Sequence, residues 1–276
     1  MKMKTSKINC HANLTLEKQI EHHVRDVALQ SPHQPHQDLL DALVKLYVRH
    51  YGLEYTPSEI ADKLVACLQF RRDRDIDRST LASFPREYYS SGATMAGRDK
   101  RGEPFIYLRS GQHVRNGPFR SLQLRFLASH VEQLVIADEA FSVVVDARGA
   151  SLDAVDVTLA MDTIALMDHY PGLVTKVLIV AGVPVAVQPA LNWIVSTVPH
   201  AMRALVRFVS ADDAIGLVGR HCVRQPRAPD DCPTIEQIGA RMKIASWAVE
   251  REIKAHRRLR RSLAENDFFH HLTDGA

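Results

Sequence analysis

The side chains that could carry catalytic chemistry in this sequence are few and scattered. Asp146, in VVVDARG, stands where a predicted strand ends, a common place for a functional carboxylate in an α/β protein. His169, before Tyr170, has the side chain of a general base. Neither has a nucleophile beside it in the sequence, so structural roles are the simpler interpretation. Asp146 would cap a turn or pair with Arg148, His169 would end a helix, and a small hydrolase stays a remote alternative.

Established catalytic and cofactor motifs are missing from the sequence. There is no Gly-x-Ser-x-Gly elbow of a hydrolase and no Gly-x-Gly-x-x-Gly of a dinucleotide site after a strand. GATMAGRDK places Gly92 and Gly97 at P-loop spacing, but Arg98 and Asp99 replace the Lys and Ser/Thr that hold phosphate and magnesium. We therefore predict a protein that is not an enzyme and has no cofactor.

Metal binding and disulfide bonding are not predicted either. The N-terminal histidines lack partner carboxylates, and the cysteines form no Cys-x-x-Cys pair, which indicates reduced thiols in the cytosol. These residues are His22, His23, His33, His36, Cys10, Cys67, Cys222 and Cys232. No window approaches eighteen uninterrupted apolar residues, and the N-terminus lacks the hydrophobic core of a signal peptide. The expected location is cytoplasmic.

The composition is compatible with one sizeable hydrophobic core, and the net charge indicates no particular binding partner. The 276 residues are 46% hydrophobic and 24% charged, and 35 Lys and Arg against 32 Asp and Glu leave a formal charge of +3. Basic residues cluster in the predicted C-terminal helix, where Trp247 is the one aromatic residue. Nucleic-acid binding is not predicted, because no aromatic platforms alternate with the basic residues.

Hydrophobic periodicity divides the chain into four regions. Residues 1–37 are polar and end in QSPHQPHQ, which predicts a mobile segment. Residues 38–91 predict a small helical module, and residues 92–224 alternate predicted strands with amphipathic helices. Residues 225–276 predict a linker followed by one long basic helix.

Local signals place the main elements within these regions. Thr56, Pro57 and Glu59 form the pattern of a capping box at a helix start. The runs PFIYLR, FSVVVD, KVLIVAGVP and LVRFVS are apolar on both faces, which is typical of strands in a parallel sheet covered by helices. The predicted class is therefore α/β.

Four segments, in this order, resemble parts of the CRAL-TRIO, or Sec14-like, lipid-binding family. They are LQFRRDRDID, GRDKRGEPFIYLR, FSVVVDARGASL and HYPGLVTKVLIVAGVP, and the similarity runs over residues 38–224. The resemblance implies a small N-terminal helical module followed by a mostly parallel, cupped sheet flanked by helices, and the basic helix read from the sequence follows at the C-terminus. The concave face of such a sheet encloses one lipid-sized hydrophobic molecule.

The family resemblance also implies a mobile gate over the cavity, formed by the stretch after Pro184. Pro189 would lie at a kink or in the first turn of the gate helix, and Trp193 suits a membrane interface. The alternative is a fully buried core helix, which is also apolar all round. The residues predicted to contact the lipid are Phe105, Tyr107, Leu124, Val143, Val145, Ile164, Leu178, Val180, Val185, Val187, Ala190, Leu191, Ile194, Val195 and Val198.

The sequence departs from the family at the positions that read phosphoinositide head groups. Members with that specificity carry Glu-Arg directly after the Tyr-Pro pair and a Lys shortly before the strand that follows the gate. Here Gly172 and Leu173 follow Pro171, and Leu205 or Val206 stands in place of the Lys. The missing charged donors disfavour phosphatidylinositol and favour a neutral or simply anionic lipid.

The basic C-terminal helix has two possible roles. Its basic residues lie beside apolar ones, so one side could rest on anionic lipid, whereas Glu250 and Glu252 dilute its charge and leave a solvated or partner-binding helix open. The predicted membrane contacts, with Trp193, are Trp247, Arg257, Arg258, Arg260 and Arg261.

The function predicted from these observations is binding of a lipid and its presentation or transfer between membranes. The alternative is a protein-interaction or regulatory module that keeps the fold without a lipid cargo and acts at an endomembrane surface. The predicted partners are a lipid ligand, a membrane surface contacted transiently, and a protein partner through the C-terminal helix as an open possibility.

Overall fold

A mixed sheet forms the centre of the protein. The computed structural model describes residues 5–31, 35–52, 54–180, 182–218, 223–224 and 228–264, and within these the sheet has six strands in the order β5-β4-β3-β2-β1-β6. Strands β2 to β5 run parallel, and β1 lies antiparallel to β2 and β6. The strands are β1 (Thr94–Arg98), β2 (Pro104–Leu108), β3 (Phe141–Asp146), β4 (Val174–Val180), β5 (Val206–Val209) and β6 (Val223–Arg224).

Helices precede, flank and follow this sheet, so the predicted fold class is confirmed. Helix α3 begins with the predicted capping box, in which Thr56 accepts from the backbone N–H of Glu59 and Glu59 accepts from that of Thr56. The helices of the described residues are α1 (Thr5–Leu29), α2 (Gln37–Tyr51), α3 (Pro57–Asp73), α4 (Arg86–Ser91), α5 (Arg120–Ile136), α6 (Val157–Asp168), α7 (Gln188–Thr197), α8 (His200–Arg203), α9 (Ala211–Val218), α10 (Ile235–Arg241) and α11 (Ser246–Ala264).

The N-terminal region differs from the mobile segment expected over residues 1–37. Residues Thr5–Leu29 form α1, which packs against α2 and α3 and buries Ile20, Val24 and Ala28. These three apolar residues are spaced four apart, which places them on one face of a helix. The polar composition of the segment outweighed this short stripe in the sequence-based expectation.

Each face of the sheet packs against a different core. One face carries Ile106 and Val143 and joins the cluster that includes α1, α2, α3 and α5. The other face carries Phe105, Tyr107 and Val144, which pack with residues of α9 and α11. Because successive side chains of a strand point to opposite faces, the strands supply apolar residues to both cores.

The C-terminal region forms two helices where the sequence predicted one. A turn containing Lys243, whose φ is 54°, separates α10 from α11. Residues Ile235 and Ile238 of α10 pack with Phe84 and Tyr88. The region is therefore docked on the domain and extends its core.

A buried arginine joins the helical module to the sheet domain. Arg71 of α3 is 1% exposed and donates from one terminal nitrogen to Glu132 Oε1 at 2.6 Å and to Tyr170 Oη at 2.7 Å. Its Nε donates to Asp77 Oδ1 at 3.0 Å. Arg71 therefore links α3 to α5 and to the Tyr170-Pro171 turn.

Replacing this arginine should destabilise the protein strongly. Arg71→Met would leave Glu132 and Asp77 without their cation, and the free energy of unfolding in urea should fall by about 3 kcal/mol or more. Burial raises the pKa of Glu132 and Arg71 opposes that rise, so in the variant the pKa rises further. A raised pKa favours the folded state at low pH, so the loss should be smaller near pH 5 than near pH 8.

Arg72→Met is the matched control for that measurement. Arg72 is the exposed neighbour on the same helix, so its removal should change the free energy of unfolding by less than about 0.5 kcal/mol. Equal losses in the two variants would show that the buried ion pairs do not hold the module to the domain.

Candidate functional site

An apolar cavity lies against the face of the sheet that also contacts the helical module. Its volume is about 300 Å³, at the lower end of the range of roughly 300–1,000 Å³ for small-molecule sites. The sheet contributes side chains from four parallel strands, and these are Leu108, Val145, Val177, Ile179 and Val206. The floor of the cavity is therefore formed by β2 to β5.

Helices supply the remaining walls of the cavity. Helix α5 contributes Phe126 and Leu127, and α6 contributes the residues of one helical face. Helix α11 closes a further wall with Ala255 and Leu259. The lining residues of α6 are Leu159, Ala160, Thr163 and Ile164.

Helix α7 and the residues at its two ends cover the cavity from the solvent side. Val187, Leu191, Ile194, Val195 and Val198 all line the cavity, and their spacing of three and four residues puts them on one helical face. Pro189 lies in the first turn, where its missing N–H removes no helical hydrogen bond.

No residue of α7, all of which the structure describes, is fully buried. On the face away from the cavity, Trp193 is 51% exposed. Helix α6 is its main packing partner. A fully buried core helix, the alternative open at the sequence level, is therefore not what the structure shows.

Seven of the fifteen residues predicted to contact a lipid line this cavity: Val145, Ile164, Val187, Leu191, Ile194, Val195 and Val198. Four others, Phe105, Tyr107, Leu178 and Val180, lie on the opposite face of the sheet. Leu124 and Val143 are buried in the core shared with the helical module. Val185 is 83% exposed, and Ala190 is partly exposed outside the cavity lining.

The misplaced strand residues have a physical cause. Strands of a parallel sheet that are covered on both sides are apolar at every position, so their sequence does not say which alternate set faces the cavity. A shift of one residue moves the whole set to the other face. Of the side chains that the sequence reading missed on the sheet, Leu108, Val177 and Ile179 are sequence neighbours of predicted ones, and Val206 lies on β5, where none was predicted.

One end of the cavity is polar. Glu252 of α11 is 1% exposed and accepts from Tyr88 Oη at 2.8 Å, Asn116 Nδ2 at 2.8 Å and Gln123 Nε2 at 2.9 Å. His256 Nε2 lies 3.4 Å from the same carboxylate, and its Nδ1 lies 2.8 Å from Ser91 Oγ. Sequence reading missed this cluster, although residues 248, 252, 255, 256, 259 and 263 repeat at helical spacing.

The two residues considered for catalysis have structural partners. Burial would raise the pKa of Asp146, but hydrogen bonds from Arg148 and Tyr107 hold it below its usual value. Arg148 donates to both carboxylate oxygens, at 2.9 and 2.7 Å, and Tyr107 Oη donates at 2.6 Å. The ring of His169 lies 4.6 Å from that of Phe70, and burial lowers its pKa. These contacts agree with the structural interpretation of both residues.

The outer face of α11 is basic. Ala248, Glu252, Ala255 and Leu259 turn inward, whereas Trp247 is 61% exposed on the opposite side. The exposed basic residues of the helix are Arg251, Lys254, Arg257, Arg258, Arg260 and Arg261. Val114 and Ala255 line both the cavity and a shallow groove that includes Trp247 and several of these cations.

Two further observations concern metals and membranes. In the described part of the chain, no three His, Cys, Asp or Glu side chains come together where they could hold a metal ion. Among the same residues, none of the helices has both the length and the apolar character needed to cross a bilayer.

Residues 89–221 match the family model of the CRAL/TRIO domain. This region of the chain is therefore similar to CRAL/TRIO domains. It overlaps the region predicted at 92–224, and the CRAL/TRIO family is in general one of lipid-binding and lipid-transfer proteins.

Comparison with solved structures supports the same fold. The structure titled "Crystal structure of Sfh5" is 17% identical in sequence, with a TM-score of 0.53, and the match covers 80% of this chain and 85% of that one. At this identity the likeness shows the fold alone. Among curated proteins, the sequence has no significant match.

Phe substitutions at two adjacent positions of β3 should separate the two faces of the sheet. Val144 is fully buried in the core opposite the cavity, so Val144→Phe should overpack it and lower the free energy of unfolding by about 1–3 kcal/mol. Val145 faces the cavity, so Val145→Phe should cost less than about 1 kcal/mol, because the ring enters open space. Urea unfolding measures both, and equal losses would contradict the assignment of faces.

Proposed function

We propose that the protein binds one lipid or similar hydrophobic molecule in this cavity and presents or transfers it between membranes. The observation that carries the proposal is the apolar cavity closed by α7, an apolar helix with no fully buried residue. The CRAL/TRIO match over residues 89–221 supports the same function.

Transfer of this kind needs no covalent chemistry. A hydrocarbon chain that leaves a bilayer for an apolar cavity exchanges one apolar environment for another, and each Å² kept from water is worth roughly 25 cal/mol. The contacts in the cavity therefore only have to stabilise the lipid about as much as its contacts in the membrane do. The barrier lies in opening the entrance, which is the role we propose for α7.

The entrance carries an apolar rim that could meet a membrane. Val185, just before α7, and Trp193, on its outer face, are exposed. Phe208 of the edge strand β5 is also exposed, and it pairs in register with Ile179, which lines the cavity. Exposed large apolar residues close to a cavity mouth are typical of a lipid-contacting surface.

A second membrane contact is proposed for the outer face of α11. Its exposed tryptophan and cations lie opposite the buried face, so the helix can touch an anionic surface while it remains docked on the domain. The proposed contacts are Trp247, Arg257, Arg258, Arg260 and Arg261. A protein partner on this face is the alternative, and transient membrane association from the cytoplasm is part of the proposal.

Within the family, we propose that the domain is most similar to the CRAL/TRIO part of motile sperm domain-containing protein 2. The supporting segments are STLASFPREYYSSG, GRDKRGEPFIYLRSGQHVRN and LVRFVSADDAIGLV. Phosphatidylinositol is not the proposed cargo. Gly172 has a φ of +75°, and a Cβ there would lie 2.8 Å from His50 Nδ1, so the glutamate of phosphoinositide-binding members would not fit without rearrangement.

A carboxylate on the inner face of α7 should stop transfer without unfolding the protein. Leu191→Asp or Ile194→Asp places a charge against the ligand, which costs desolvation energy. Both positions are only partly buried, so the melting temperature should fall by no more than a few degrees. Transfer of a fluorescent lipid between vesicles should fall at least about tenfold.

Asn192→Asp is the matched control for the α7 variants. It adds the same carboxylate one residue away, on the exposed side of the helix, and should leave transfer close to the wild-type rate. A collapsed melting transition in the Leu191 and Ile194 variants would mean that α7 belongs to the core. Normal transfer by folded variants would reject the gate.

Charge removal on α11 should weaken binding to anionic vesicles. Arg257→Ala, Arg260→Ala and Arg261→Ala together remove three cations, each worth about 1 kcal/mol near an anionic surface. Point variants are preferable to deletion, because Ala255 and Leu259 line the cavity. Vesicle co-sedimentation in low salt should show a loss of about tenfold or more, mimicked by high salt in the wild type.

Neutral vesicles are the control for the α11 variant. The triple variant and the wild type should bind them equally, because the apolar rim at the entrance is unchanged. Equal binding to anionic vesicles in low salt would assign the basic face to another partner.

A further inference from the structure

The polar end of the cavity has hydrogen-bonding groups that the fold leaves unused. Glu252 accepts from Tyr88, Asn116 and Gln123, but Gln123 Oε1 and His113 Nε2 are buried and have no hydrogen-bond partner among the described residues. Gln123 and His113 both line the cavity. Buried polar atoms are rarely left without a partner, because their desolvation is then uncompensated.

The carboxylate of Glu252 determines which amide atom of Gln123 remains available for a hydrogen bond. An ionised carboxylate only accepts hydrogen bonds, so the atom of Gln123 that approaches it at 2.9 Å is the amide nitrogen. The amide oxygen is therefore an acceptor that needs a donor. His113 is neutral at neutral pH because burial lowers its pKa, and its Nε2 donates or accepts according to the tautomer.

The electrostatics of this end disfavour an anionic head group. Burial raises the pKa of Glu252, but hydrogen bonds from His256, Tyr88 and Gln123 outweigh burial and keep the group ionised. His113 lies within electrostatic range of Glu252. Arg109 also lines the cavity, but it donates to the backbone oxygens of Ser91 and Leu259 and to the Ser262 hydroxyl.

We propose that His113 and Gln123 form a head-group subsite for the hydroxyl of a neutral lipid, such as a long-chain alcohol, a sterol or an acylglycerol. The hydroxyl donates to Gln123 Oε1 and pairs with His113 Nε2, since a hydroxyl is both donor and acceptor. The hydrocarbon then extends along the apolar strands toward α7. The subsite deepens the proposed lipid-binding function and rests on it.

Three probes with the same chain length test the subsite: 1-hexadecanol, hexadecane and hexadecanoate. The full chain is loaded near pH 7.5 from neutral phosphatidylcholine vesicles that contain equal amounts of the three, and mass spectrometry quantifies the bound probes. We expect hexadecanol to exceed hexadecane by about tenfold, since one or two buried polar groups gain their partner. Hexadecanoate should load less than hexadecanol, because its charge meets Glu252.

His113→Leu and His130→Leu form a matched pair for the same assay. His130 is also buried with an unpartnered Nε2, but it does not line the cavity. His113→Leu should lower the ratio of hexadecanol to hexadecane at least about threefold, and His130→Leu should leave it unchanged. An unchanged ratio in folded His113→Leu would reject the subsite.

If His113→Leu does not fold, Glu252→Gln replaces it, because it removes the charge at nearly constant shape. It should raise the loading of hexadecanoate relative to hexadecanol, and no change would contradict the subsite. Equal loading of hexadecanol and hexadecane by the wild type, or preferred loading of hexadecanoate, would overturn the subsite and leave the lipid-binding function standing. Failure to load any probe would count against lipid binding itself.

Discussion

Helix α7 must be apolar enough to cover a hydrophobic cavity and yet loose enough not to become part of the core. Its inner face meets the first requirement with Leu191, Ile194 and Val195, all of which line the cavity. The second is met because none of its residues is fully buried and α6 is its main support. A segment with few buried contacts belongs to the part of a protein that opens at low free energy. The proposed exchange of a lipid depends on this balance.

The elements around α7 are held by buried polar contacts, in contrast to α7 itself. Arg71 joins α3, α5 and the Tyr170 turn through buried ion pairs and a hydrogen bond, while Arg109 and Glu252 anchor α11 beside the sheet. Breaking a buried ion pair by removing one partner costs several kcal/mol, so these elements keep one arrangement. A cavity with three fixed walls and one weakly held cover can open without loss of the fold.

The sequence predicted the fold class and the capping box of α3 because each has a local periodicity or a local side-chain pattern, whereas the cover over the cavity was implied by the family resemblance. It did not predict which face of the strands meets the cavity, since Phe105, Tyr107, Leu178 and Val180 are as apolar as their neighbours. Nor did it predict that Glu252 and His256 of a basic helix would line the cavity. Such contacts join residues more than a hundred positions apart, and no local pattern encodes them.

Native mass spectrometry of the protein purified from cells tests the central claim most directly. A gentle spectrum should show the 31.0 kDa chain with one additional lipid-sized mass, and the organic extract should contain that lipid. The account predicts a single bound molecule per chain, released when the protein is denatured. Repeated spectra of the bare polypeptide, under conditions that keep a known lipid complex intact, would contradict it and favour a protein-interaction module built on the same fold.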